Sequence, residues 1–285
     1  MRLATCRHEG KRWLARAEGD ELVLLPIEHG DSLRALLAAD RLDALRSSTG
    51  ERVDHAQVEF LPPIHDADKI FCVGLNYRGH LTETGTPLPT HPSLFMRFNS
   101  SQVGHEQPVI APSISTEFDY EGELAVVIGR TAWRVPAERA MEHVAGYSCF
   151  AENSVRDFQM HSRQATPGKN FLMSGAFGPW LTTADEVPDP AALRLTSRLN
   201  GEVVQDESVS ALVFDIPALI AYISSFTVLL PGDVISTGTP DGVGFLRDPK
   251  VWLKPGDLFE VDIPGVGLLR NRVADETGIA GGVAA

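Results

Sequence analysis

Short apolar runs, each closed by glycine or proline, recur from Lys69 onward. They are Ile70-Phe71-Cys72-Val73-Gly74, Leu124 to Gly129, Val234-Ile235-Ser236-Thr237-Gly238 and Leu258 to Gly265. Many short strands bounded by turns predict a β-rich core of the sandwich, roll or barrel-like kind. Helices interrupt this pattern. Ala137 to His143 is one candidate, and Ile216, Leu219, Ile220 and Ile223 form a helical stripe that ends before Pro231-Gly232-Asp233. That stripe is read as core packing. The first sixty or so residues read as a small α+β unit. Leu22 to Leu25 is strand-like, and Asp31-Ser32 can cap a helix carrying Leu33, Leu36 and Leu37 on one face. Phe60-Leu61-Pro62-Pro63 reads as a linker, because paired prolines stiffen the chain. The expected organisation is a small N-terminal domain over 1–64, a catalytic domain over 65–275 and a flexible tail over 276–285. The overall class is α+β, rich in β.

The stretch ahead of the second apolar run carries the strongest chemical signal. Asp119-Tyr120-Glu121-Gly122-Glu123 precedes Leu124-Ala125-Val126-Val127-Ile128. In a strand, residues i and i+2 share a face, so Asp119, Glu121 and Glu123 would form a column of oxygen donors. Like charges this close repel unless a cation or a raised pKa relieves them. Oxygen-only ligands select hard divalent cations. A solvent-facing strand edge is the plain alternative, but a buried-looking β run does not usually carry an idle acidic column.

Composition narrows the partners. The chain has 285 residues and a formal net charge of −13, which argues against nucleic acid or an anionic membrane as partner. Cys6, Cys72 and Cys149 are far apart and form no CxxC pair, so neither a disulfide framework nor a zinc ribbon is expected. Met1-Arg2-Leu3-Ala4-Thr5 lacks a secretory apolar segment, and no run reaches the roughly 18 apolar residues of a membrane span. These features lead to the expectation of a soluble, cytoplasmic protein.

Further reactive candidates follow. In Gly74-Leu75-Asn76-Tyr77-Arg78-Gly79-His80-Leu81-Thr82-Glu83, a helical reading puts His80 and Glu83 at i and i+3 on one face. A carboxylate beside imidazole raises its pKa and fixes its tautomer, which suits a general base; the alternative is an exposed polar turn. Glycines and the later Pro87, Pro89 and Pro92 make this segment a candidate lid. Glu152 could complete a carboxylate metal site, and Gln159 lies two helical turns beyond it if that segment is helical. Arg156 and Asp157 read as a structural pair. Lys169, in Thr166-Pro167-Gly168-Lys169-Asn170, is either an oxyanion-stabilising lysine or a surface one. Thr239 sits in the Gly-rich turn Gly238 to Gly244, which could hold a carboxylate. There is no P-loop, H-E-x-x-H or G-x-S-x-G motif.

Taken in order, these segments resemble the fumarylacetoacetate hydrolase family, including its acylpyruvate hydrolase and 2-hydroxyhepta-2,4-diene-1,7-dioate isomerase-like members. The resemblance spans Lys69 to Val273. It rests on Gly74-Leu75-Asn76-Tyr77 with His80 and Glu83, Glu121-Gly122-Glu123-Leu124, Gly146-Tyr147 through Arg156-Asp157, Gly168-Lys169, and Pro231 to Pro240 with Gly242-Val243-Gly244. It implies a mixed β-roll fold and a homodimer. It also implies a divalent metal, Mg²⁺ or Mn²⁺ with Ca²⁺ able to replace it in crystals, on Glu121, Glu123 and Glu152. His80 and Glu83 correspond to a catalytic dyad on a lid, and Lys169 to an active-site lysine. Tyr77, Arg97, Gln159 and Thr239 correspond to substrate-contacting positions. Three residues depart from the family pattern. Glu152 stands where aspartate is common, Arg97 where lysine is frequent, and Leu75 where several members have arginine.

The function so implied is hydrolysis of a C–C bond in a small-molecule 2-oxo acid or 1,3-dicarbonyl of the acylpyruvate or fumarylacetoacetate type, through a metal-stabilised enolate. Decarboxylation of oxaloacetate, hydration, and isomerisation or tautomerisation of related acids share that enolate and remain open. A metal- or small-molecule-binding protein without activity would be marked by loss of the dyad or the lysine, and all three residues are present.

Overall fold

The computed structural model of the protein describes residues 1–26 and 32–278. Asp31 and the tail beyond residue 278, both named above, lie outside the described residues. The expected strands form: Ile70–Gly74, Gly122–Ile128, Val234–Ser236 and Leu258–Ile263. Among the described residues they belong to a twelve-stranded mixed sheet and a five-stranded sheet, with a two-stranded pair beside them.

The centre of the large sheet runs in the order Arg2–His8, Gly175–Thr183, Val144–Ala151, Gly122–Ile128, Val234–Ser236, Ile70–Gly74 and Ser93–Arg97. Strand Gly122–Ile128 is buried along its whole length. Its side chains alternate between two cores. Leu124, Val126 and Ile128 pack with Leu195, Phe259, Val261 and Ile263 of the five-stranded sheet and with Ile216, Leu219, Ile220 and Ile223 of helix Ile216–Phe226. Ala125 and Val127 face the other way, onto Leu3, Leu25, Phe150 and Phe177. Burial on both faces explains why this run is continuously apolar rather than alternating.

The N-terminal segment joins this second core. Ser32 Oγ accepts from Ala35 N–H and caps helix Leu33–Ala38, which buries Leu33, Leu36 and Leu37. One expectation is corrected here. Phe60-Leu61 is no linker: it lies in strand Glu59–Leu61, which pairs with Arg2–His8. Arg2–His8 in turn pairs with Gly175–Thr183, with Leu3 opposite Leu181. Hydrogen-bonded strands therefore cross the boundary expected near residue 64. The prolines that suggested a linker follow the strand and end it, as proline must where the ladder needs an N–H.

Candidate active site

The carboxylate cluster sits where strand Gly122–Ile128 begins and strand Val144–Ala151 ends. Their antiparallel register puts Gly122 opposite Ala151, so Glu121 and Glu152 emerge side by side. The Glu152 N–H donates to the Glu121 carbonyl at 2.8 Å. One oxygen from each of Glu121, Glu123 and Glu152 lies within 4.8 Å of the others, and all three residues are buried. Asp119 does not join them. It belongs to the two-residue strand Phe118–Asp119, and the chain leaves strand geometry before Gly122, so the expected three-residue column breaks after Asp119. Its carboxylate accepts instead from Arg156 Nε at 2.8 Å and from the N–H groups of Tyr120, Gly244 and Phe245. Asp119 is thus a buried clamp on the loop that follows the Gly-rich turn.

Each carboxylate of the cluster is held differently. Glu121 Oε1 receives Lys169 Nζ at 2.9 Å, Arg156 Nη1 at 2.8 Å and the Ser154 hydroxyl. Burial alone would raise its pKa, but Lys169, Arg156 and Ser154 outweigh it and hold the carboxyl at about 2. Glu152 accepts from Arg97 Nη1 at 2.9 Å and from Lys169 Nζ. Glu123 Oε2 accepts from Ser236 Oγ and from Gly238 N–H at 2.8 Å, and among the described residues no cationic side chain contacts it. Burial, reinforced by repulsion from Glu152 and Glu121, drives its pKa well above the ordinary value. Among the described residues these contacts leave Oε2 of Glu121 and Oε1 of Glu123 without a donor. Three buried carboxyl groups with two free oxygens, one of the three held by no cationic side chain among the described residues, fit a hard divalent cation on the donor set alone.

Gly238 is required at its position. Its φ of +111° suits glycine, and a Cβ there would come within 2.8 Å of Asn76 Cβ. Asn76 is buried in the turn after strand Ile70–Gly74. Its side chain donates to the Thr237 and Phe214 carbonyls and accepts from Phe214 N–H. It thereby ties the turn that launches helix Arg78–Thr84 to the segment that holds Glu123.

That helix is capped at its C-terminus by Gly85 in the left-handed region and carries the dyad. His80 Nδ1 lies 3.0 Å from Glu83 Oε2, and Glu83 Oε1 accepts from Gly242 N–H at 3.0 Å. An ionised carboxylate only accepts, which puts the ring proton on Nδ1 and leaves Nε2 as the basic nitrogen.

His80, Glu121, Glu123, Glu152, Gln159, Lys169 and Thr239 all line one cavity of about 450 Å³. Lys169, in helix Thr166–Lys169, is buried. Burial favours its neutral form, yet Glu121 and Glu152 prevail and its pKa is raised, so the ammonium persists. Its Nζ also stands 5.0 Å from the centre of the Phe95 ring. Gln159 Oε1 accepts from Arg156 Nη1 at 2.9 Å. The Thr239 hydroxyl donates to the Gly122 carbonyl and accepts from Gln205. Leu75, at φ 56°, also lines the cavity; a left-handed conformation in a non-glycine residue costs roughly 1–3 kcal/mol and tends to mark functional turns.

Two substrate-contacting expectations are corrected. Tyr77 is buried in the main apolar core, its hydroxyl has no hydrogen-bond partner among the described residues, and it does not line the cavity. Arg97 lies behind Glu152, where Nε reaches Ser101, Nη1 reaches Glu152 and the Asn153 carbonyl, and Nη2 reaches Ser174. Its fork is spent on the protein and cannot bind substrate. Two smaller readings also change. Glu152 and Gln159 share no helix, since Glu152 follows a strand and the helix is Arg156–Gln159. Arg156 pairs with Asp119 and Glu121, while Asp157 accepts from Ser115. The holding roles of Ser154, Ser236, Asn76 and Gln205 escaped sequence reasoning, because a single hydroxyl or amide side chain carries no distinctive pattern.

Comparison with known proteins agrees with this geometry. The family model described as fumarylacetoacetate (FAA) hydrolase, C-terminal, matches residues 69–274. A human protein, mitochondrial oxaloacetate tautomerase FAHD2A, is 44% identical over 220 residues, covering 76% of this chain and 70% of its own. A fumarylacetoacetate hydrolase from Exiguobacterium antarcticum superposes with a TM-score of 0.87 at 33% identity, covering 97% of this chain and 100% of that one. The maleylpyruvate hydrolase of Sphingobium sp. SYK-6, solved with manganese(II) and pyruvate, superposes with a TM-score of 0.79 at 29% identity, covering 96% and 99%.

Proposed function

The chain belongs to the fumarylacetoacetate hydrolase family, and on that premise we propose that it is a divalent-metal-dependent hydrolase of acylpyruvate-like 2-oxo acids. The observation that carries this reading is one cavity lined by a carboxylate triad, a charged buried lysine and His80, which is held from behind by Glu83. Glu121, Glu123 and Glu152 would hold Mg²⁺ or Mn²⁺, which when bound supplies Lewis acidity to the 2-oxo acid head.

The chain's own residues do the rest. His80 Nε2 takes a proton from water, and Glu83 stabilises the imidazolium. The hydroxide attacks the distal carbonyl, and the C–C bond breaks towards the pyruvate side. Lys169 holds the negative charge that develops on oxygen. The His80 proton then returns to the leaving carbon, so that acylpyruvate and water become pyruvate and a carboxylic acid. The hydrolase from Sphingobium carries pyruvate and manganese, which supports this product and this class of cation.

A second reading has its own support. The human relative at 44% identity is an oxaloacetate tautomerase. Keto–enol exchange needs the same head-group binding and one proton relay, with no hydrolytic water.

The test is turnover of Mg²⁺- or Mn²⁺-loaded protein with acetylpyruvate and with oxaloacetate, products identified by mass and an EDTA control beside each. Acetate and pyruvate from acetylpyruvate, lost in EDTA and in His80→Ala, establish the hydrolase. Faster loss of enol-oxaloacetate absorbance without carbon dioxide or cleavage establishes the tautomerase instead. Carbon dioxide above the rate of free metal would mark a decarboxylase, and inertness towards both acids would end this reading. The homodimer implied by the resemblance and the cytoplasmic location expected from cysteine usage belong to the same proposal; light scattering after size exclusion tests the first, and fractionation of cells the second.

A further inference from the structure

The dyad is set by a contact on its far side. Glu83 gives Oε2 to His80 and Oε1 to the Gly242 N–H, so the ring's orientation depends on where that one N–H points. Gly242 cannot fix it unaided. Its φ of +98° lies in the region that glycine enters freely, and a glycine peptide turns easily unless it is held. A larger residue is excluded, since a Cβ would come within 2.1 Å of the Val204 carbonyl oxygen.

Two side chains hold the other side of that residue. The Tyr120 hydroxyl donates to the Gly242 carbonyl at 3.1 Å, and Arg247 Nε donates to the same oxygen at 3.1 Å. A carbonyl has two lone pairs, and both are thereby used. Tyr120 is buried, its ring lies 5.3 Å from that of Phe259, and it is next in the chain to Glu121. Arg247 reaches on through Nη2 to the Val204 carbonyl at 2.7 Å, which ties the turn to strand Glu202–Ser208. Helix Arg78–Thr84 lies close against the same turn: a Cβ on Gly79 would come within 2.3 Å of Asp241 Oδ1. Tyr120 thus joins the segment that supplies Glu121 and Glu123 to the turn that restrains Glu83. We propose that Tyr120 and Arg247 are positioning residues for the His80–Glu83 dyad, acting through the Gly242 carbonyl to fix the Gly242 N–H that orients Glu83. The kinetic part of this inference rests on His80 as the base of the proposed reaction; the geometric part does not. The plain alternative is that the two donors only satisfy a main-chain carbonyl, and the two differ measurably.

NMR of full-length protein labelled with ¹⁵N-histidine reads the ring directly and needs no substrate. At about pH 8.5, above the usual imidazole range, His80 should be the Nδ1–H tautomer, its signal identified by its loss in His80→Ala. Tyr120→Phe keeps the ring against Phe259 and loses only the hydroxyl. In that variant, and further with Arg247→Met added, His80 should move towards the tautomer mixture of a free imidazole. An unchanged tautomer in the double variant would overturn the proposal. On the substrate found in the turnover assay, Tyr120→Phe should lower kcat roughly 3- to 10-fold, the worth of one hydrogen bond, with KM and Mn²⁺ affinity unchanged. Arg247→Lys can serve one carbonyl but not both, and should keep more activity than Arg247→Met. With Glu83→Ala already in place, Tyr120→Phe should change kcat by no more than about 2-fold, because nothing is left to position. A full penalty in that background, or Mn²⁺ affinity falling in step with kcat, would make Tyr120 a general support of the triad segment and overturn the assignment. If no 2-oxo acid is turned over, it is the hydrolase reading that fails, and the tautomer alone decides the positioning.

Discussion

Lys169 decides more of the site than any other single residue. Its ammonium bridges Glu121 and Glu152, so its removal strips one donor from the chemistry and one counter-charge from the cluster. Lys169→Met should lower kcat by roughly 10²–10³, the usual cost of losing one preorganised charge-stabilising group. Steady-state kinetics on the substrate identified above checks this, and unchanged turnover would remove Lys169 from the mechanism. Arg97 acts through Glu152 instead. Arg97→Met would leave a fully buried carboxylate with one counter-ion fewer, which should cost about 3–5 kcal/mol in chemical denaturation. Arg97→Lys keeps the charge but cannot reach the acceptors that the fork now serves, so it should fall between the two. His105 gives the protein a pH dependence of its own. Burial depresses its pKa from 6.5 to about 4, and its Nδ1 accepts from Arg270 N–H at 3.2 Å, which requires that nitrogen unprotonated. The unfolded chain therefore takes up a proton before the folded one does. Stability is present in full above about pH 6.5 and is lost as pH falls towards 4, with a ceiling of roughly 3 kcal/mol. Urea midpoints from pH 7 to 4 should show this loss flattened in His105→Asn.

At the level of elements, the site depends on how closely two short helices approach. Helix Thr166–Lys169 passes so near helix Arg156–Gln159 that a Cβ on Gly168 would come within 2.4 Å of Gln159 N and 2.5 Å of the Val155 carbonyl. Both atoms are backbone, so neither can swing aside. Gly168→Ala should destabilise by about 1–3 kcal/mol and weaken Mn²⁺ binding by displacing Lys169, Gln159 and the Arg156 contacts together. A variant with wild-type stability and metal affinity would show that the helices can separate freely. Much of this level was legible beforehand. Strands Ile70–Gly74 and Leu258–Ile263 end where glycine or proline was seen to end them, Val234–Ser236 stops two residues short of Gly238, and the stripe of Ile216, Leu219, Ile220 and Ile223 is buried on one helix face. The dyad was legible too, because i,i+3 spacing on a helix is a local property. Phe60-Leu61 was misread for the opposite reason. A short edge strand is made by its partner, and Arg2–His8 lies far away in sequence.

For the whole molecule, the N-terminal segment is part of the main sheet. Strand Arg2–His8 covers the edge of Gly175–Thr183, and Leu3, Leu25, Leu33 and Leu36 complete the core beneath Phe150 and Phe177. Deleting residues 1–64 should therefore open a sheet edge and an apolar face, and give aggregated or insoluble protein rather than an active catalytic fragment. Soluble, metal-binding protein from that truncation would restore the picture of an independent appendage.

What the residue order determined by itself was local or compositional. It set the β-rich texture, the helical stripes, the acidic pair ahead of a buried strand, the His80–Glu83 spacing, and, through several ordered motifs, the family. What only tertiary structure decided was which polar side chains face the cavity and which are spent inside the protein. Asp119 and Glu121 differ by two positions, yet one clamps a loop and the other joins the triad, because the strand breaks between them. Arg97 and Arg163 are both arginines near the site, yet all three side-chain nitrogens of one are engaged, while among the described residues no hydrogen bond or ion pair engages the other. The reason is that a side chain's availability depends on its partners in space, and contacts between distant segments leave no periodic trace in the sequence.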